Sequence, residues 1–360
     1  MGGTIDELGI IRRRLAAQRL TGEPFPDPAT AVRSLLAMQS QEYLMAKWAV
    51  AMRSGPLTDA AVEQAFDAGA ILRTHVLRPT WHFVAPEDIR PLLRLTAPRI
   101  RRLLASQDRE LELDEPALAV GRRVVAAALR GGTALTRPEL AERLVAAGIA
   151  GGGRRIAHIA MRLELEELIC SGPRRGRQHT YMLLDERAPE ASRPADGEGL
   201  LAAATERFFA SHGPATAHDF AKWASLRVAD ARRGLELAGD SLDSFEHAGK
   251  TWWQGDSPEP ADDAGALFLP DYDESMAGYR DLRVQTARPV PEGFSLQRPV
   301  LVGGEVQAAW RRTVTGRAVD LEVQPLGSLS RRHRAAIEAE ADRYAWFLQL
   351  PIGSLRWVAS

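Results

Sequence analysis

Leu72-Arg73-Thr74-His75-Val76-Leu77-Arg78-Pro79-Thr80-Trp81-His82-Phe83-Val84 alternates, is rich in β-formers and carries a turn signal at Arg78-Pro79, so it reads as a hairpin. What precedes it is helical. Ile5 to Leu20 spaces Leu8, Ile11 and Leu15 along one face and ends at Thr21-Gly22. Asp27 or Pro28 opens a second helix expected to run through Val32, Leu35 and Leu36 to Met38. After a turn, another carries Trp48 and Met52 and breaks at Ser54-Gly55-Pro56. Thr58 N-caps a short helix from Ala60 to Phe66 that stops at Gly69. Helices followed by a hairpin give the order of a winged helix. Pro86-Glu87-Asp88 then starts a long helix through Leu103.

The order returns. Leu118 to Leu129 is helical, Leu135-Thr136-Arg137-Pro138-Glu139-Leu140 caps a helix ending at Gly148, and Arg155 to Cys170 forms a third. Gly172-Pro173 opens a Gly/Arg-rich wing running into Thr180 to Leu184. A fainter copy comprises Leu200 to Phe209, the segment Gly213 to Phe220, Arg227 to Leu237, and a short strand at Thr251-Trp252-Trp253. Thr136–Glu139 and Thr216–Asp219 are a capping box and its Asp variant at one place in two copies. An internal repeat of about 80 residues follows. Residues 186–199 read as a linker. Beyond Asp262 the period is two, in Ala266 to Pro270, Arg298 to Arg311 and Ala318 to Val323, with Gly303-Gly304 as a hairpin turn. The expected architecture is α+β: three tandem winged-helix modules (1–115, 116–190, 191–262), then over 263–360 a small β-barrel or curled sheet closed by a terminal helix from Ser330 to Leu348.

Charge is uneven along the 360 residues. Residues 1–185 carry 26 bases against 21 acids and 275–360 carry 12 against 8, but 186–274 carry 8 against 18. A nucleic-acid partner would therefore meet local arginine patches, since the body is not globally basic. The lone Cys170, read as lying in a helix, excludes an internal disulfide and fits a reducing cytoplasm. No apolar run follows Arg12-Arg13-Arg14, which argues against a secretory signal, and no stretch of about 20 apolar residues suits a membrane helix.

Gln39 and Gln41 interrupt the apolar run Leu35 to Val50. A buried carboxamide left unpaired costs about 1–3 kcal/mol. Either both are ordinary helix-end amides, or they face a cleft and orient a water or a base edge, because a carboxamide both donates and accepts. His75 and His82 are aromatic-packed histidines, or one of them faces the same cleft. Cys170, His158 and His179 lack a zinc spacing. Asp271-Tyr272-Asp273-Glu274 has the donors for Mg²⁺, but such runs more often cap a helix or pair with arginine, here Arg280 or Arg283. Arg12-Arg13-Arg14, Arg99/Arg101/Arg102, Arg122-Arg123, Arg154-Arg155 and Arg174-Arg175-Arg177 are solvated faces or phosphate contacts.

Ala37-Met38-Gln39-Ser40-Gln41-Glu42, the hairpin, Leu269-Pro270-Asp271-Tyr272-Asp273 with Gly278-Tyr279-Arg280-Asp281, and Val302-Gly303-Gly304 with Trp310-Arg311 together resemble the AlkZ/YcaQ-like family of DNA glycosylases. The resemblance covers nearly the whole chain and implies three winged helices, a C-terminal barrel and a Gln-x-Gln catalytic motif at Gln39 and Gln41. The middle position, usually small and apolar in the AlkZ branch, is Ser40; relatives with Gln-x-Asp differ at the place of Gln41. What the family implies is excision of cationic alkylated purines, such as N7-alkylguanine or bulky adducts and crosslinks, through water placed on C1′. Glu42 is a weaker candidate for stabilising the positive charge. With no lysine beside the motif except Lys47, a monofunctional glycosylase is favoured over a Schiff-base lyase. The residues expected to line the cleft or hold DNA are Ser40, Glu42, Arg73, His75, Arg78, Trp81, His82, Arg154, Arg155, Arg174, Arg175 and Arg177. No metal or cofactor is expected, and the partner is double-stranded DNA carrying alkylated purines, met by a cytoplasmic, nucleoid-associated monomer. The rival reading is a non-catalytic winged-helix regulator.

Overall fold

A computed structural model describes residues 6–149, 151–188, 197–261, 265–280 and 297–358. The centre of the expected linker, 189–196, lies outside them, as do Asp281 and Arg283. Helix α1 (Glu7–Ala17) starts where Asp6 accepts the Gly9 N–H at 2.7 Å and buries Ile10, Ile11 and Leu15. In α2 (Pro28–Ser34), Asp27 caps the Thr30 N–H at 2.8 Å, and Pro28 costs nothing at the first turn. The helix does not reach Met38 as the apolar spacing predicts. Leu36 takes the left-handed φ of 68°, and Met38–Gln39 becomes a two-residue strand, β1. Leu35 and Leu36 are buried by this turn, so their apolarity mimicked a helix that stops before them.

Next come α3 (Tyr43–Arg53), α4 (Asp59–Asp67) and the hairpin β2 (Leu72–His75) and β3 (Trp81–Val84), then α5 (Pro86–Glu110). Strand β1 pairs with β3, Met38 opposite Phe83 and Gln39 opposite His82. One topology occurs three times: a helix, a short strand, two helices, then a hairpin whose second arm bonds the short strand. In the second copy α6 (Glu115–Leu129), β4 (Leu135–Thr136), α7 (Arg137–Ala146) and α8 (Gly153–Leu165) lead to β5 (Ile169–Arg175) and β6 (Gln178–Leu183). After the short α9 (Leu184–Arg187), the third has α10 (Gly197–His212), α11 (Ala217–Trp223), α12 (Val228–Ala238), β7 (Asp243–His247) and β8 (Lys250–Gln254), with Ala215 bridging Trp253. Both capping boxes form: Glu139 and Asp219 accept the N–H of Thr136 and Thr216 at 2.7 and 2.8 Å, and each threonine hydroxyl answers. Cys170 lies in β5, not in a helix, and burial pushes its thiol up to about 12.

The C-terminal part adds β9 (Ala266–Phe268), α13 (Glu274–Ala277), β10 (Pro299–Val302), β11 (Glu305–Val314), β12 (Val319–Pro325), α14 (Arg331–Leu348) and β13 (Ile352–Trp357). Gly303 and Gly304, at φ 63° and 92°, make the tight turn between β10 and β11. The five strands run β13-β12-β11-β10-β9, so the sheet has two edges among the described residues, and the expected closed barrel is corrected to an open sheet. Strand β13 is parallel to β12 and returns through α14, a connection that a period-two reading cannot supply. This sheet shares one core with the first unit: the indoles of Trp48 and Trp310 donate to the carbonyls of Phe268 and Leu269, each at 2.8 Å. No described helix is long and apolar enough to cross a membrane.

Removing either cap, by Thr136→Ala or Thr216→Ala, is expected to lower stability by about 1 kcal/mol. Urea unfolding measures both, and unchanged midpoints would show that the boxes contribute nothing.

Candidate active site and nucleic-acid interface

The left-handed Leu36 aims β1 along the hairpin. Ser40 then closes the register by donating its N–H to the Trp81 carbonyl at 2.7 Å. Because facing residues of antiparallel strands share a side, Gln39, His82 and Thr74 lie on one face of the hairpin. His75 and Trp81 lie on the other. The two histidines are therefore divided between the faces.

On the Gln39 face, Arg78 Nη2 donates to Gln39 Oε1 at 3.2 Å and to His82 Nε2 at 3.3 Å, while Nη1 donates to the Trp223 carbonyl at 3.2 Å. A guanidinium only donates, which turns the Gln39 oxygen towards Arg78 and its amide nitrogen away. It also fixes the histidine tautomer: His82 Nε2 accepts, and Nδ1–H donates to the Thr80 carbonyl at 2.9 Å. Burial, with Arg78 alongside, lowers His82 to about 3, so it stays neutral. Gln41 is exposed, and among the described residues its oxygen has only the Trp81 N–H at 3.5 Å, the outer limit of a hydrogen bond. Neither glutamine's amide nitrogen donates to a protein acceptor among the described residues.

Glu274 closes this face from below. It is 1% exposed; Oε1 accepts the Gln39 N–H at 2.7 Å and Oε2 accepts the Trp223 indole N–H at 3.0 Å. Burial alone would raise its pKa, but His212, with Nε2 3.6 Å from Oε2, and the Arg78 charge outweigh that and hold it at about 2. The carboxylate is thus ionised and balances Arg78.

Ser40 and Arg73 lie on the opposite face. Arg73 Nε and Nη2 donate to the Ser40 carbonyl at 3.2 and 3.0 Å, and its guanidinium sits 4.1 Å from the Trp81 ring centre. Burial lowers Arg73 to about 10, still a cation near neutrality. His75 pairs with Glu164 and lies 4.5 Å from Trp81, ring centre to ring centre.

The other arginines are already engaged. Arg154 binds Glu110, Arg175 binds Glu139 in fork geometry, Arg155 donates to the Glu112 carbonyl, and Arg174 meets Glu63. Arg177, at the exposed β5–β6 turn, has no protein partner among the described residues. Glu42 is exposed at the start of α3. The acids at 271–274 do cap a helix and pair with arginine: Asp273 accepts the Ser275 N–H at 2.9 Å at the start of α13 and holds Arg53 through two 2.8 Å contacts, and Asp271 pairs with Arg298; Arg283 lies outside the described residues. Arg280 offers its backbone N–H to Asp219 instead. Among the described residues no group of three or more His, Cys, Asp or Glu could hold a metal ion. Sequence reasoning missed Glu274 as part of this site, together with Trp223, His212 and Arg53; its one signal was the acidic run.

A family model described as DNA glycosylase AlkZ-like matches residues 32–347, and the chain belongs to that family. An interstrand DNA cross-link repair glycosylase of Streptomyces sahachiroi is 25% identical over 242 residues, which are 64% of this chain and 64% of that protein. The solved structure of Streptomyces sahachiroi DNA glycosylase AlkZ has the same fold, with a TM-score of 0.78 at 22% identity, covering 99% of this chain and 100% of the other.

Glu274 has a folded pKa of about 2 against an ordinary 4.5, so its contribution is present above 4.5 and lost as pH falls towards 2. Glu274→Gln is expected to be less stable than wild type above pH 4.5, the gap narrowing to pH 2. Thermal melts across that range check it, and a pH-independent gap would contradict it.

Proposed function

We propose that the chain is a monofunctional DNA glycosylase that hydrolyses the N-glycosidic bond of cationic alkylated purines in duplex DNA, N7-alkylguanine among them. The observation that carries this reading is the hydrogen bonding around Gln39: His82 spends Nδ1–H on the Thr80 carbonyl and accepts from Arg78 at Nε2, and both Glu274 oxygens accept N–H donors, so none is poised to protonate a leaving base. A base alkylated at N7 already carries positive charge and needs no such donor. Its departure leaves an oxocarbenium-like sugar, and water must be held at C1′.

The two amides suit that task differently. Gln39, its oxygen tied to Arg78, presents an NH₂ edge; Gln41 has an oxygen able to accept from water. Neither takes the proton that water sheds as it bonds to C1′, which passes to bulk solvent, and positioning supplies the rate. The Arg78 cation would oppose charge developing on the sugar, and the buried Glu274 carboxylate offsets it. Glu42 remains a weaker contributor.

DNA binding in this reading spans three winged-helix modules with boundaries near 1–115, 116–190 and 191–262, supported by the repeated helix–strand–helix–helix–hairpin order. Arg177 and the exposed pairs of Arg154 and Arg175 face phosphates. Water screens such exposed pairs, so phosphate can replace the carboxylate at little cost. The protein acts as a monomer, with unhooking of crosslinks within its range.

Gln39→Ala and Gln41→Ala are each expected to slow abasic-site formation on N7-methylguanine duplex about 100-fold, with undamaged-duplex affinity within about twofold of wild type. Alkali cleavage of single-turnover reactions measures the first and gel shift the second. Full activity in both variants would return the chain to a DNA-holding role without chemistry.

A further inference from the structure

Residues 186–274 carry 8 bases against 18 acids, yet a cavity of about 700 Å³ in the third unit gathers cations. Arg14 of α1, Arg232 of α12, Lys250 of β8 and Arg280, just past α13, all line it. Asp219 is the one acid among the described lining residues, and the fold already occupies it. Its Oδ2 accepts the Thr216 N–H at 2.8 Å and its Oδ1 the Arg280 backbone N–H at 2.7 Å. Arg14 is 2% exposed at the base of the cavity, where Nε donates to the Pro214 carbonyl at 2.8 Å and the guanidinium lies 3.5 Å from the Tyr279 ring centre. Arg232, Lys250 and Arg280 are exposed at the rim. The side chains of Arg232 and Arg280 have no protein partner among the described residues. Ala217, Trp252 and Trp253 give the cavity an apolar wall.

A concavity lined by one sign of charge focuses its field on a ligand of the other sign, and guanidinium groups match phosphate oxygens in pairs. The volume suits a small molecule with an apolar body as well as a charge. Helix α11 connects this place to Gln39: Ala217 at its start lines the cavity, and Trp223 at its end bonds Arg78 and Glu274. Its seven residues span about 10 Å, or about three nucleotide steps along a strand. We propose that the cavity binds a nucleotide unit, its phosphate on the Arg232, Lys250 and Arg280 rim and its sugar or ring against the indole wall. The inference goes beyond the glycosylase reading, because it concerns binding alone and stands whether or not a glycosidic bond is cut.

The phosphate arrives either on a DNA strand or on a free nucleotide, and the test separates the two. Equilibrium dialysis compares deoxyguanosine 5′-monophosphate with deoxyguanosine, and gel shifts over a salt series follow an undamaged duplex. Wild type is set beside Arg232→Gln/Lys250→Gln, both exposed, and beside Arg317→Gln/Arg331→Gln, an equal loss of exposed charge on the C-terminal part. The first variant should bind duplex about tenfold more weakly, with a salt slope shallower by about 2, while the second stays within about twofold of wild type. That result assigns the site to a strand. Loss of a wild-type preference for the monophosphate over the nucleoside, with duplex binding unchanged, assigns it to a free nucleotide. If neither ligand distinguishes the first variant from wild type, or the second variant loses as much, the cavity is not a phosphate site.

Discussion

A carboxylate with almost no contact with water governs the site. Glu274 lies between Gln39 of the first unit, Trp223 and His212 of the third, and its own short helix in the C-terminal part. An ionised carboxylate tolerates such burial only when charge and donors surround it. Arg78 supplies the charge, while a backbone N–H and an indole N–H supply the donors. The hairpin tip is held over β1 by the Arg78 hydrogen bonds to Gln39, His82 and the Trp223 carbonyl, without any regular sheet bond at Arg78.

The neighbouring acid repeats the design one step further in. Asp273 binds Arg53 with both side chains fully buried, Arg53 donates to Gln18 at 2.6 Å, and Gln18 reaches the Tyr279 hydroxyl at 3.1 Å. Tyr279 in turn donates to the His212 carbonyl at 2.8 Å. Helices α1, α3 and α10 are thereby tied to a helix of four residues that could not persist alone. Residues 273 and 274 thus fix one segment from two sides, and the Gln39 backbone is placed by what is far away in sequence.

That distance explains what could be read in advance. The hairpin, both capping boxes and the Gly303-Gly304 turn depend on residues a few positions apart, and all were legible. Gln39 and Gln41 stood out because amides interrupt an apolar run. Glu274 meets Gln39 across 235 positions, and no periodicity encodes such a meeting. The helix expected through Met38 failed because a positive φ at a leucine has no sequence signal. Cys170 was misread because a buried strand and a buried helix look alike over a short apolar stretch. The barrel failed because strand count does not determine closure, and among the described residues β13 and β9 are left as edges.

Arginine therefore plays two parts that composition cannot separate. Arg53, Arg73 and Arg78 are bound by groups within the fold, and losing the partner of a fully buried one such as Arg53 costs about 3–5 kcal/mol. Arg154 and Arg175 are more than half exposed with carboxylate partners that water screens, so their pairing is weak and exchangeable. In the proposed function the first group shapes the chemistry and the second meets the duplex. A net charge of −1 is compatible with this, because duplex affinity follows the local cations that trade a carboxylate for a phosphate, not the balance over the whole chain. Under that proposal the same trade would make binding steeply salt-dependent while leaving the amides, which carry no charge, in place.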